Sequence, residues 1–129
     1  MIYTYSYDTA YHGPAIPVVD ITISLPDDAD RKVILRALVD SGADGTVIPV
    51  RYLRQLGAKV VDRRRMRGSD NISYPVDTYA VLLEVGPLGG LVVEVTGNRF
   101  SDETIIGRDL LNQMVVTLNG LANVVELSQ

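Results

Sequence analysis

Apolar and polar residues alternate along much of the chain. In VDITISL, Val19, Ile21, Ile23 and Leu25 alternate with Asp20, Thr22 and Ser24, the pattern of a strand with one buried face. The following PDDAD, Pro26 to Asp30, is expected as a turn. From Val33 to Val39 nearly every position is apolar, which predicts a strand covered on both faces and running into Asp40. YAVLLEV and LVVEV are joined by GPLGG, Gly86 to Gly90, a hairpin signal. MVVTL and NVVEL flank NGLA, where Asn119-Gly120 suits a tight turn with positive φ. In MIYTYSYD, Tyr3, Tyr5 and Tyr7 share one face of a strand that packs either on the body of the protein or on a partner chain. At least six short strands make the fold class all-β.

Two short helices interrupt the strands. Pro49 sits where a first-turn proline is tolerated, Tyr52, Leu53 and Leu56 share a face, and Gly57 is placed to end the helix. The second is expected from Gly107 to about Met114, with Leu110, Leu111 and Met114 as its apolar stripe. No linker or low-complexity stretch divides the 129 residues, so residues 1–129 are read as a single domain.

Composition narrows the function. Apolar residues make up 47% and charged ones 22%, an ordinary balance for a chain with a core. The apolar runs fall far short of the roughly 20 residues a membrane helix needs, and the N-terminus lacks a signal-peptide layout, so no membrane association is expected. A net charge of -4 argues against general affinity for nucleic acid. The chain has no Cys, hence neither disulfides nor a thiolate nucleophile, which fits a reducing compartment and leads to a cytoplasmic expectation. The single His12, beside Gly13-Pro14, reads as part of an exposed turn, and no metal site is expected. Arg63, Arg64, Arg65 and Arg67 form one basic run, read as a solvated strand.

The chemistry concentrates in ALVDSGADGTVIP, Ala37 to Pro49, where an acid ends an apolar run and small residues follow. A polar turn is one reading, since Asp, Ser and Gly favour turns. A calcium loop is another: Asp40, Asp44 and Gly45 match its first, fifth and sixth positions. That reading fails because Gly42 supplies no ligand at the third position and Arg51 stands where a bidentate Glu is required. In a third reading Asp40 is half of an acid pair.

Asp40-Ser41-Gly42-Ala43-Asp44, followed by Thr46-Val47-Ile48-Pro49 and, about 65 residues on, by TIIGRDLL from Thr104 to Leu111, resembles the retropepsin-like aspartic proteases. The resemblance spans roughly Val33 to Leu118. It implies a single-lobed acid-protease barrel with one or two short helices that forms a homodimer, needs no metal or organic cofactor, and hydrolyses peptide bonds. Asp40 would be the catalytic carboxylate, with Ser41 and Gly42 shaping the site and Ser41 bonding across to its counterpart. Ile105 to Gly107 would pass beside this loop and lock it, and Arg108 would pair with a buried Asp44 beneath it.

One acid per chain does not suffice for acid-pair hydrolysis, which takes one ionised and one protonated carboxyl group. Asp109 follows the Gly of the second motif and falls in the predicted helix, so the second carboxylate is expected from a second chain across a two-fold axis. Substrate contacts are expected from Ala43 and Asp44, from Ile48 and Ile106 as apolar pocket walls, and from a flap tip at Gly68, Ser69, Asp70 and Asn71. That tip is poorer in Gly than is usual in the family. Ala43 lacks a hydroxyl to bond the outer carboxylate oxygens, which predicts activity at mildly acidic to near-neutral pH. MVVTLNGLANVVEL extends beyond the short terminal strand of viral members and suggests a hairpin-built dimer interface. A catalytically silent dimerisation or peptide-binding module is the alternative function, and a polyprotein-processing domain of a mobile element a third.

Overall fold

A computed structural model describes residues 1–129. Ten strands and two helices follow in the order β1 (Tyr3–Ser6), β2 (Val18–Leu25), β3 (Asp28–Val39), β4 (Val47–Pro49), α1 (Val50–Leu56), β5 (Val60–Arg67), β6 (Ser73–Val85), β7 (Leu88–Asn98), β8 (Ile105–Ile106), α2 (Arg108–Leu111), β9 (Val115–Asn119) and β10 (Val124–Ser128). Strands β2, β3, β8, β4, β7 and β6 are hydrogen-bonded in that order. A further pairing of β2 with β6, through Thr22–Glu84, Ile23–Leu83 and Ser24–Leu82, closes these six into a barrel. Closure satisfies both edges of every barrel strand along the paired stretch, so no long open edge remains on it.

The long β6 serves two neighbours on one edge. Its C-terminal part meets β2, while its N-terminal part carries β5, which projects as a hairpin beyond the barrel. A second sheet, in the order β1-β10-β9, lies against the barrel. Val125 and Leu127 of β10 share one core with Ile21, Ile23, Val81 and Leu83 of the barrel. Tyr5 and Tyr7 pack against that core, so the tyrosine face of β1 turns toward the body of the protein.

Several turns are tighter than their composition suggests. Only Pro26-Asp27 separates β2 from β3, because Leu25 already pairs with Asp28, so Asp28 to Asp30 belong to a strand. Only Gly86-Pro87 separates β6 from β7, with Gly86 at φ 51, and a Cβ added there would lie 2.9 Å from Leu127 Cδ1. In the β9–β10 turn the positive φ falls on Asn123 (φ 56) and not on Asn119-Gly120. β3 is covered on one face only: Leu35, Ala37 and Val39 are buried, whereas Ile34 is 70% exposed and Arg36 points to solvent. No helix layer covers its outer side.

The first helix follows its sequence signals. Pro49 stands at its N-cap with φ -55, needing no amide partner, and Gly57 ends it in the left-handed region at φ 78. Leu53 and Leu56 are wholly buried, each worth roughly 2 kcal/mol of transfer free energy. The second helix is a single turn, shorter than its apolar stripe predicts, because the chain turns at Asn112-Gln113 toward β9. Neither helix is long and apolar enough to cross a membrane.

Candidate active site

The barrel holds a loop, residues 40 to 46, between the ends of β3 and β4, with β8 threaded beside both. Leu38 and Val39 pair in parallel with Ile105 and Ile106, while Val47 pairs antiparallel with Ile105. Asp40 N–H donates to the Ile106 carbonyl at 3.1 Å, which fixes where the acid leaves the sheet. Asp40 Oδ1 accepts the Gly42 amide at 2.9 Å, and its carbonyl accepts the Ala43 amide at 3.2 Å. Ser41 and Gly42 are exposed and Asp40 is half-buried, so the carboxyl group sits on an open face of the chain.

A second segment clamps this loop from beneath. Arg108 donates from its backbone to the Ala43 carbonyl at 2.9 Å and from its side chain to the Ser41 carbonyl at 2.7 Å. Its guanidinium also pairs with Asp44 Oδ1. The pair is present, but Asp44 is not the buried acid expected from the sequence: its side chain is 96% exposed. Asp44 thus lies at the surface, and the Ser41 carbonyl gives the Arg108 side chain a second partner on the loop. Gly107 lies so near the loop that an added Cβ would stand 2.5 Å from the Gly45 carbonyl oxygen and 3.0 Å from that of Ala43.

Asp109 is the structural residue missed by sequence reasoning. Its carboxylate accepts the Thr46 amide at 3.1 Å and the Thr46 hydroxyl at 2.9 Å. The same hydroxyl accepts the Gly107 amide at 3.3 Å, so Thr46 joins the two segments. A signal existed: an acid in a helix's first turn, directly after Gly107-Arg108, and a small β-branched hydroxyl residue entering β4. Asp44 and Asp109 are therefore engaged, with Arg108 and Thr46 respectively, whereas the Asp40 carboxylate accepts only the Gly42 amide.

Beside the loop lies a cavity of about 400 Å³ between the β5–β6 hairpin and the barrel. Its walls include Val47, Ile105, Met66, Gly68, Ser69 and Tyr74. Ile48 and Ile106, expected as pocket walls, are both 0% exposed and belong to the core. Period-2 alternation explains the shift, since their neighbours Val47 and Ile105 face the opposite side and meet each other across the sheet. Of the predicted flap tip, Gly68 and Ser69 reach the cavity. Asn71 makes the turn at φ 64 and accepts from Arg67, while Asp70 Oδ1 accepts the Ile72 amide and braces the turn.

The arginines of β5 are solvated and paired along the sheet, Arg63 with Asp77 and Arg64 with Asp62 and Glu94. Arg65 and Arg67 bond Ser73 and Asn71. His12 is exposed and stacks on Tyr11, with ring centroids 4.1 Å apart.

No protein-family model matches the chain, and no curated protein sequence matches it significantly. Solved structures do. A retropepsin-like aspartic protease from Rickettsia conorii superposes with a TM-score of 0.59 at 12% identity, over 98% of this chain and 91% of that one. The EIAV protease, solved with the inhibitor HBY-793, gives 0.50 at 21% identity over 80% and 91%. A foamy viral protease-reverse transcriptase gives 0.52 at 18% identity over 75% of this chain, which spans only 15% of that protein. With the closed barrel, the Asp40 loop and the segment that clamps it, these superpositions show that the chain has the retropepsin-like fold.

Proposed function

We propose that the protein is an aspartic endopeptidase that works as a homodimer, each copy contributing Asp40 to one site on the two-fold axis. The observation that carries this reading is the Asp40–Thr46 loop: its acid is left on an open face, while Arg108, Asp109 and Gly107 hold its backbone from below. Such rigidity is a cost without benefit for an ordinary surface turn. It suits a carboxyl group that must meet an identical one at short range.

Two carboxyl groups about 3 Å apart, as in aspartic peptidases generally, share one proton because both cannot ionise cheaply. The ionised Asp40 takes a proton from the water between them, and the resulting oxygen attacks the scissile carbonyl carbon. The protonated Asp40 donates to the carbonyl oxygen, giving a neutral tetrahedral diol. The Asp40 that took the water proton then passes it to the amide nitrogen, the C–N bond breaks, and the other Asp40 takes a proton from a diol hydroxyl, so that the products leave and the pair again holds one proton. Gly42, where a Cβ would come within 3.2 Å of Asp40 Oδ1, keeps the approach open. No step calls for a cofactor.

The substrate lies extended in the cleft under the β5–β6 hairpin, which acts as the flap. Main-chain bonds from Gly68 and Ser69 on one side, and from the loop around Ala43 on the other, hold it as an added strand. Val47 and Ile105 offer apolar contact, which favours apolar side chains beside the scissile bond. The test is cleavage of casein by the parent and by Asp40→Asn, with and without pepstatin. Cleavage that pepstatin blocks and the variant lacks supports the reading. Absence of cleavage by the parent at every pH favours a catalytically silent peptide-binding module.

A further inference from the structure

On the far side of the loop formed by residues 98 to 102 lies a second pocket, of about 480 Å³, walled by Arg51, Arg54, Asn98, Arg99, Phe100 and Asp102 together with the start of α1. Three guanidinium groups face one carboxylate there. Arg51 is neutralised by Asp102 at 2.9 Å and stacks on Tyr52 at 4.3 Å. Arg54 and Arg99 have no acidic partner, and Arg99 lies over the exposed Phe100 ring at 5.8 Å. Asn98, Arg99 and Phe100 also line the cleft beneath the hairpin, so one short wall separates the two spaces. Phe100 touches the hairpin itself, edge-on to Tyr74 with centroids 5.7 Å apart.

We propose that this pocket is an exosite for acidic side chains of a bound peptide, with Arg54 and Arg99 taking the carboxylates. An extended peptide advances about 3.3 Å per residue, so a chain lying in the cleft reaches past the wall within a few residues. Glu or Asp there meets two uncompensated guanidiniums beside an aromatic face. Elsewhere the chain, with a net charge of -4, repels acidic peptides, so the preference comes from this local field. Glu103 at the cleft side of the wall sets a limit, disfavouring acids close to the scissile bond and favouring them farther out. The inference rests on the peptidase reading for the identity of the bound peptide as substrate.

The test uses full-length Asp40→Asn, which holds peptides without turnover, and fluorescence anisotropy. The probe is a labelled peptide with an apolar centre flanked on both sides by glutamates, with glutamine and lysine counterparts. The glutamate peptide is expected to bind about tenfold tighter than the glutamine peptide, with the gap narrowing at about 0.5 M salt. Adding Arg54→Gln and Arg99→Gln together should bring the glutamate peptide down to the glutamine level. Arg65→Gln should not, because Met66 faces the cavity and its neighbour Arg65 points the other way. Equal affinities, a preference that survives the double change, or no binding of the glutamate peptide would overturn the exosite. Single-stranded DNA competing as well as the glutamate peptide would overturn it in favour of a general polyanion surface. A glutamate preference without casein cleavage by the parent would keep the exosite and remove the peptidase.

Discussion

The Asp109 carboxylate accepts both the backbone amide and the hydroxyl of Thr46, at 3.1 Å and 2.9 Å, and so ties the segment after β8 to the end of the Asp40 loop. Thr46 is almost wholly buried, and its amide has no solvent to turn to if Asp109 is truncated. Asp109→Ala should therefore cost about 1–3 kcal/mol, the penalty of an unpaired buried donor. Thr46→Val should cost less alone and couple to Asp109→Ala in a double-mutant cycle. Urea denaturation of the four proteins measures this, and strict additivity would refute the tie.

Gly107 makes a sterically sharper prediction. Its φ of -101 suits any residue, so the demand for glycine there comes from space alone. A methyl group would meet the Gly45 carbonyl at 2.5 Å, and backbone cannot swing aside as a side chain can. Gly107→Ala should destabilise by about 1–3 kcal/mol and displace the Asp40 loop. Gly89→Ala, where nothing lies within 4 Å, is the control and should stay near the parent in urea midpoint.

Core and cleft are separable at adjacent positions. Ile48→Ala should cost about 2–5 kcal/mol, because a wholly buried side chain leaves a cavity, without changing which peptides are preferred. Ile105→Ala should cost less and shift the preferred side chain beside the cleaved bond toward larger groups. A peptide-library digest with both variants checks this; an altered preference in Ile48→Ala alone would reverse the assignment.

The Tyr5 hydroxyl holds its proton more tightly than an ordinary phenol. Burial raises its hydroxyl above the ordinary value of about 10, Asp20 raises it further, the Gly86 amide opposes, and Tyr3 adds to the rise. Because the folded value is the higher, the folded chain keeps its proton when the unfolded chain would lose it. The stability involved is present below about pH 10 and lost as pH climbs through the folded value. Tyr5→Phe should flatten the decline in urea midpoint between about pH 9 and pH 11, by a modest amount since the ring is partly exposed. An unchanged decline would exclude Tyr5 as its source.

Alternation made most strands legible, from Val19–Leu25 to the final hairpin, because each has one wet and one dry face. It failed where tertiary context decides. The apolar run Val33–Val39 reads as doubly covered, yet only its Leu35 and Ala37 side meets the core. β8 is two residues long and has no period to detect, and barrel closure depends on β2 meeting β6, a pairing far apart in sequence. At the site, the position of Asp40 at the end of β3 and the pairing of Arg108 with Asp44 were legible through the family resemblance of the two motifs. The exposure of Asp44 was not, since it follows from the direction in which a loop turns. The choice of Val47 and Ile105 over their neighbours required the strand register.

Subunit mixing shows whether each site takes one Asp40 from each of two chains. A fixed amount of parent is equilibrated with a ninefold excess of Asp40→Asn, and casein cleavage is measured. If the site is shared, only about a tenth of the parent chains remain paired with each other, and activity should fall about tenfold. Activity equal to that of the parent alone, with mixed dimers demonstrably formed, would rule out a site shared between two chains.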